Sequence, residues 1–262
     1  MNFENGQVIC LSWGGQKSGS NDDIAVGSRM YRGSGPWARI LLLILNGRQN
    51  IQYLREDTVP IDNYRSKLES GIRISVSDIK AAEGFRNLFV ISGVKKEEEQ
   101  RFYMPAVVKQ LLANVADDFD AIIADTGSEL DNGLAIGGLS EAKKTYMILA
   151  QNEATIRRYE NQSGLYSEIR MDFDSVIINK YMEKDPYSAG YIKKRLGLDD
   201  KNVYTVRLAD TGRKAEIEYK TIKALANEKY ERDIEKIASD IIKNLGLEIR
   251  NEKRKNRWKG FI

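Results

Sequence analysis

Twelve residues that follow an apolar run near the start of the chain carry the densest candidate chemistry: Ser12-Trp13-Gly14-Gly15-Gln16-Lys17-Ser18-Gly19-Ser20-Asn21-Asp22-Asp23. A phosphate-binding turn needs glycines whose backbone N–H groups converge on an anion, a lysine for the outer phosphates and a hydroxyl for magnesium. Gly14, Gly15 and Gly19, with Lys17 and Ser18, supply those residue types. The spacing G-x-x-x-x-G-K-[ST] is nevertheless not met. With Lys17-Ser18 as its end, Gln16 and Leu11 occupy the two glycine positions; with Gly19 as its last glycine, Ser20 and Asn21 stand where the lysine and hydroxyl belong. Asp22 and Asp23 fall in the first turn of the helix that follows, where Ser20 or Asn21 caps it. Carboxylates there satisfy the positive end of the helix dipole and repel a triphosphate competing for the same amides. Two readings stand at this point: a polar loop capped by its own side chains, or a modified nucleotide site built on Lys17.

Composition removes several other chemistries. The 262 residues contain no histidine and one cysteine, Cys10. Triads that use an imidazole, His-ligated zinc and an intrachain disulfide are therefore excluded. Carboxylates, lysines, hydroxyls, backbone amides or a bound ion must do whatever chemistry there is. Cys10 lies in an apolar run and is expected to be an inert core residue. The longest aliphatic run, 40–45, has six residues, against about twenty needed to cross a bilayer. No leader-like segment precedes the first strand-like run, and a reducing cytoplasm is the expected location.

The last residues form a second candidate. Six basic residues and one acid lie between Arg250 and Lys259. If this tail is helical, Trp258, Phe261 and Ile262 share one face, with Lys253, Arg254, Lys255, Arg257 and Lys259 around them. Such a segment suits weak peripheral contact with an anionic membrane, strengthened by dimerisation. The same charge could bind nucleic acid with Trp258 stacked on a base, or the tail could be a solvated end. A net charge of +3 disfavours a dedicated nucleic-acid protein, which is usually strongly basic over a whole face.

The elements that must position these residues are legible from periodicity. Short β-branched apolar runs at 7–12, 39–46, 87–92, 121–125, 145–151, 175–179 and 203–207 alternate with amphipathic stretches at 21–31, 105–116, 132–140, 154–163, 189–196 and 222–245. This alternation predicts an α/β fold, a doubly wound, mostly parallel sheet of about seven strands with helices on both faces. Residues 55–76, with Pro60 and Gly71, read as loops around a short helix. No repeat, low-complexity tract or Pro-rich or Gly/Ser-rich linker interrupts the chain. A single domain over 1–248 and a basic tail over 249–262 are expected.

Three later segments carry a resemblance. Asp118-Phe119-Asp120-Ala121-Ile122-Ile123-Ala124-Asp125-Thr126-Gly127 is followed by an apolar helix and by Tyr146-Met147-Ile148-Leu149-Ala150-Gln151-Asn152-Glu153, and then by Val176-Ile177-Ile178-Asn179-Lys180-Tyr181. In order and spacing these resemble the ParA/MinD group of P-loop ATPases, which partition plasmids and position division or pilus machinery. The resemblance covers most of residues 6–245. It implies a nucleotide site in which Asp125 ends a buried strand at the magnesium, Ser18 supplies the metal's hydroxyl, Lys17 and Gly14, Gly15 and Gly19 meet phosphates, and Asn179 reads adenine.

The sequence departs from the family pattern at catalytic positions. The signature lysine that reaches across a dimer falls on Ser12 or Gly15. The D-x-D at the end of the second strand, whose first carboxylate orients the attacking water, falls on Ile44 and Asn46. An isoleucine can do neither that nor ligate magnesium. The expectation is a degenerate member acting as a localisation or assembly factor through protein partners, with a homodimer among the expected assemblies and with ATP and magnesium bound weakly or not at all. Pilus-assembly proteins of the TadZ/CpaE type resemble it most. The alternative is an active ATPase with a rearranged site.

Overall fold

The computed structural model describes residues 8–13, 38–47, 58–82, 86–168, 172–209, 211, 214, 217–218 and 228–247. Eight strands form one sheet among them: β1 (Val8–Trp13), β2 (Ile40–Ile44), β3 (Val59–Pro60), β4 (Leu88–Ser92), β5 (Ala121–Gly127), β6 (Lys144–Ala150), β7 (Ser175–Tyr181) and β8 (Val203–Arg207). Every pairing between them is parallel, in the order β3-β4-β2-β5-β1-β6-β7-β8. The chain builds outward from β1 to β3, returns to insert β5 beside β1, and then extends the opposite edge through β6, β7 and β8. Growth of the sheet thus changes direction at β1 and β5, and the crevice beyond their carboxyl ends is where such sheets take ligands.

The parallel sheet requires cover on both faces, and the alternation of side chains supplies it. Leu41, Leu43 and Leu45 join Val8, Cys10, Ile122 and Ala124 on one face. Ile40, Leu42 and Ile44 join Ile9, Leu11, Ile123 and Ile148 on the other. Five helices bury residues in the first face: α1 (Asp62–Glu69), α2 (Pro105–Val115), α3 (Gly133–Ser140), α4 (Glu153–Glu168) and α5 (Ala189–Leu196). The second face is covered by α6 (Glu228–Asn244), through Tyr230, Ile234, Ile237, Ala238, Ile241 and Ile242. Polar contacts fix its direction. Asp233, 4% exposed, accepts from Arg207 at the carboxyl end of β8, at 2.8 and 3.0 Å. About two turns later Asp240 accepts from Lys144 Nζ at 2.9 Å and Tyr146 Oη at 3.2 Å, and Lys144 opens β6. The helix therefore runs against the strands, as a crossover must.

Local chemistry sets the helix ends. Pro105 opens α2, where its missing N–H is no loss. Asn132 Oδ1 accepts from Ala135 N ahead of α3, and Ser188 Oγ from Tyr191 N ahead of α5. Gly197, at φ +65°, closes α5.

The sheet has eight strands rather than about seven. The additional one, β3, is two residues long and pairs Val59 with Ile91 and Pro60 with Ser92 at the sheet edge. A two-residue strand leaves no periodic signal, and a proline is tolerated there because an edge strand has one unpaired side. The short helix expected in 55–76 is α1. The amphipathic stretch at 154–163 continues to Glu168, beyond Gly164, and buries Tyr166. The expected helix at 21–31 and the residues Ile222 and Leu225 lie outside the described residues.

Two glycines separate close packing from open space. A Cβ on Gly137 of α3 would lie 2.7 Å from Pro105 O and 2.8 Å from Val108 Cβ of α2, whereas a Cβ on Gly164 of α4 would meet nothing within 4 Å. Gly137→Ala should therefore destabilise by about 1–3 kcal/mol. Gly164→Ala should stabilise by about 0.4–1 kcal/mol, through the unfolded chain. Urea melts of the two variants check both signs.

Candidate functional site

The candidate site is the carboxyl edge of β2, β5 and β1. Strand register brings Asp125 of β5 opposite Ile44 of β2 and Leu11 of β1. The ladder continues one bond past β2, with Leu45 N donating to Asp125 O at 2.7 Å, so that Asn46 arrives beside the Asp125 side chain. Asp125 is 1% exposed. Its Oδ2 accepts from Asn46 Nδ2 at 2.9 Å and its Oδ1 from Gly127 N at 2.9 Å. Gly127 sits at φ +69°, and a Cβ on it would lie 2.6 Å from Asn46 Cβ. Only glycine satisfies both that conformation and that approach. Beside the pair, Thr126 Oγ1 donates to Leu11 O at 3.1 Å, tying β5 to β1.

Ile44, which the resemblance sets at the position of a water-orienting carboxylate, is 2% exposed and belongs to the apolar cluster with Leu11, Leu42, Ile123 and Ile148. Cys10 is fully buried on the opposite face and donates to Gly138 O at 3.1 Å. Burial first, and the charge of Asp125 second, push its thiol far above the ordinary range, so it is inert as a nucleophile.

Asn179 lies on the same edge but apart from Asp125. Two strands, β1 and β6, separate β7 from β5, which is about 14 Å at ordinary strand spacing. Asn179 is 5% exposed, and its Oδ1 accepts from Lys180 N at 2.7 Å. Lys180 takes φ +53°, and the β7–β8 register shifts between Ile178 and Tyr181. This bulge turns the end of β7 and explains why the strand runs to Tyr181 instead of stopping at 179.

A further polar network stiffens this half of the edge and was not legible as a unit. Gln151 Nε2 donates to Met182 O at 3.2 Å and to Tyr187 O at 3.0 Å, while its Oε1 accepts from Met182 N at 2.6 Å. Arg195 of α5 bonds both Glu153 and Glu160 of α4, at 2.7–3.0 Å. Arg195, with Arg157, holds the Glu153 carboxyl down at about 2. The i,i+4 pair of Glu153 and Arg157 is visible in the sequence. The bond to Arg195, 42 residues on, has no sequence signal.

Of the residues expected at the site, Asp125 and Asn179 are thus on one edge. Gly14, Gly15, Lys17, Ser18 and Gly19 lie outside the described residues, as do Lys253, Arg254, Lys255, Arg257, Trp258, Lys259 and Phe261 of the tail. Asn46, whose side chain meets Asp125, is the member that sequence reasoning named only as a departure. No group of three or more Cys, Asp or Glu side chains that could hold a metal occurs among the described residues. For magnesium, which seeks oxygen ligands in near-octahedral order, the described residues at this edge are a poor match: the Asp125 carboxylate already accepts two N–H bonds, the Asn46 amide turns its nitrogen to it, and Ile44 offers no ligand. Among the described residues no helix is long and apolar enough to cross a membrane.

No family model and no curated sequence matches the chain. Solved structures do match its fold. A ParA family ATPase from Chlorobium tepidum superposes with a TM-score of 0.75 at 15% identity, over 89% of this chain and 98% of that one. The MinC:MinD cell division protein complex of Aquifex aeolicus gives 0.67 at 18% identity, over 93% and 98%. The septum site-determining protein MinD of Pyrococcus horikoshii, complexed with Mg-ADP, gives 0.69 at 13%, over 91% and 98%. The fold is that of the ParA/MinD P-loop ATPases.

Burial of Ile44 has a direct energetic consequence. Ile44→Asp would place a carboxylate among apolar neighbours opposite Asp125, and should cost on the order of 3 kcal/mol or more. A thermal melt of the variant checks this; a melting temperature within a degree or two of wild type would mean that the side chain reaches water.

Proposed function

We propose that this chain is a ParA/MinD-type protein that has left nucleotide hydrolysis behind and acts as a localisation or assembly factor through protein partners, binding ATP weakly or not at all. The observation that carries the reading is Ile44, 2% exposed, at the position where an ATPase of this fold orients its attacking water. Its side chain has no polar atom to hold a water, and a charged group set among its apolar neighbours without a partner would be costly. Asp22 and Asp23, read from the sequence as the first turn after the glycine-rich segment, oppose a triphosphate in the same sense. A MinD of this fold has been captured with MinC, which supports a role exercised through protein contacts.

On this reading the protein works in the cytoplasm as a homodimer, in the service of an envelope or pilus machine of the TadZ/CpaE kind. Lys253, Arg254, Lys255, Arg257, Trp258, Lys259 and Phe261 give it peripheral contact with the anionic inner membrane, and nucleic acid is the less favoured partner of the same residues. One observation favours a second reading. Asp125 and Asn179 share the ligand edge, which suits an ATPase whose rearranged site uses Gly14, Gly15, Lys17, Ser18 and Gly19 on the phosphates, Ser18 and Asp125 on magnesium, and Asn179 on the base.

Calorimetry with Mg-ATP distinguishes the two. Loss of the phosphate-loop geometry removes several charge-assisted hydrogen bonds, each worth about 1.5–3 kcal/mol. The affinity is expected to be millimolar or weaker. Micromolar binding that disappears in Lys17→Ala would replace the first reading by the second.

A further inference from the structure

We infer that Asn46 takes the place of a cation at the ligand edge: its amide holds the Asp125 carboxylate, and the site is independent of divalent metal. Three features of the structure carry this. First, Asn46 Nδ2 donates to Asp125 Oδ2 at 2.9 Å while Gly127 N donates to Oδ1 at 2.9 Å, so each carboxylate oxygen already meets a positive pole. Only the nitrogen of the amide can face the carboxylate, since its oxygen would be repelled. Secondly, the contact is built into the backbone. Gly127 at φ +69° lets the ends of β2 and β5 approach until a Cβ there would stand 2.6 Å from Asn46 Cβ. Thirdly, Ile44 is buried in the core, so Asp125 has no carboxylate beside it on β2 with which to share a cation.

Magnesium reaches a carboxylate directly or through a bound water that donates to it. Asn46 donates to Oδ2 in the same manner without an ion. Asn46 is accordingly a positioning residue: it fixes the Asp125 side chain and, through it, the ends of β5 and β2. The inference rests on the reading that hydrolysis has been left behind. Its test uses metal without nucleotide, so that the two can fail separately.

The experiment is a thermal melt of the full-length wild type and of Asn46→Asp, each in EDTA and in millimolar magnesium chloride, with no nucleotide present. The wild type should melt at the same temperature in both. Asn46→Asp sets a second carboxylate against Asp125, and like charges at that distance repel. It should melt several degrees lower in EDTA and recover most of the loss in magnesium, a rescue that a purely steric role for Asn46 would not produce. If magnesium alone raises the wild-type melting temperature, or if Asn46→Asp melts with the wild type in EDTA, the inference is overturned. Should Asn46→Asp fail to fold in either buffer, Asn46→Ala decides together with the wild-type titration. The clamp predicts a lowered melting temperature for Asn46→Ala and no metal effect on the wild type; an unchanged melting temperature for Asn46→Ala contradicts it. Micromolar ATP binding in EDTA by a wild type that ignores magnesium would sink the proposed function and leave the role of Asn46 intact.

Discussion

The run Ile40–Leu45 is buried on both faces of a parallel sheet, and the ligand edge is organised by where that run stops. Leu41, Leu43 and Leu45 face the helices α1 to α5, while Ile40, Leu42 and Ile44 face α6. A strand sandwiched in this way has no solvated face on which a polar side chain could rest. The first residue free to be polar is Asn46, and it arrives beside Asp125 because the ladder bond from Leu45 N to Asp125 O extends the pairing by one step. The chemistry of the edge is in this sense a property of the core. A carboxylate at 44 would be incompatible with the packing that gives β2 its place, whereas an amide at 46 completes it.

The other half of the edge is governed by polar contacts. The bulge at Lys180 turns β7 outward, Gln151 fastens the turn that follows it, and Arg195 spans α4 and α5. Exposed ion pairs contribute little singly. This one is organised by an arginine that bonds two carboxylates at once, which gives it geometric definition. Met182 and Tyr191, at 49% and 45% exposure, stay on the surface beside this network. The edge thus combines an apolar, closed half around β2 and β5 with a polar, stiffened half around β6 and β7.

Most of the fold was legible because its signals are local. The strands at 203–207 and 175–179 begin where the β-branched runs begin, and α5 ends at a glycine preceded by three basic residues. The strand that carries Asp125 was legible for the same reason, although it runs two residues further than the expected 121–125, to Gly127. What escaped the sequence depends on tertiary register. The two residues of β3 acquire meaning only against β4, and the length of α4 depends on where Tyr166 is buried. Asn46 carries no motif, and its role exists only because the register sets it 79 residues away from its partner at hydrogen-bond distance. That Ile44 stands where the resemblance expects a carboxylate is visible in the sequence, but its burial on a covered face is a fact of packing.

The central claim is that the β2–β5 edge is closed by hydrogen bonds within the protein. A crystal structure grown with magnesium and a non-hydrolysable ATP analogue tests it most directly. The account predicts that the Asn46 Nδ2 to Asp125 Oδ2 bond, 2.9 Å here, persists, with no metal at Asp125. Magnesium coordinated at Asp125, with the Asn46 amide displaced, would contradict it.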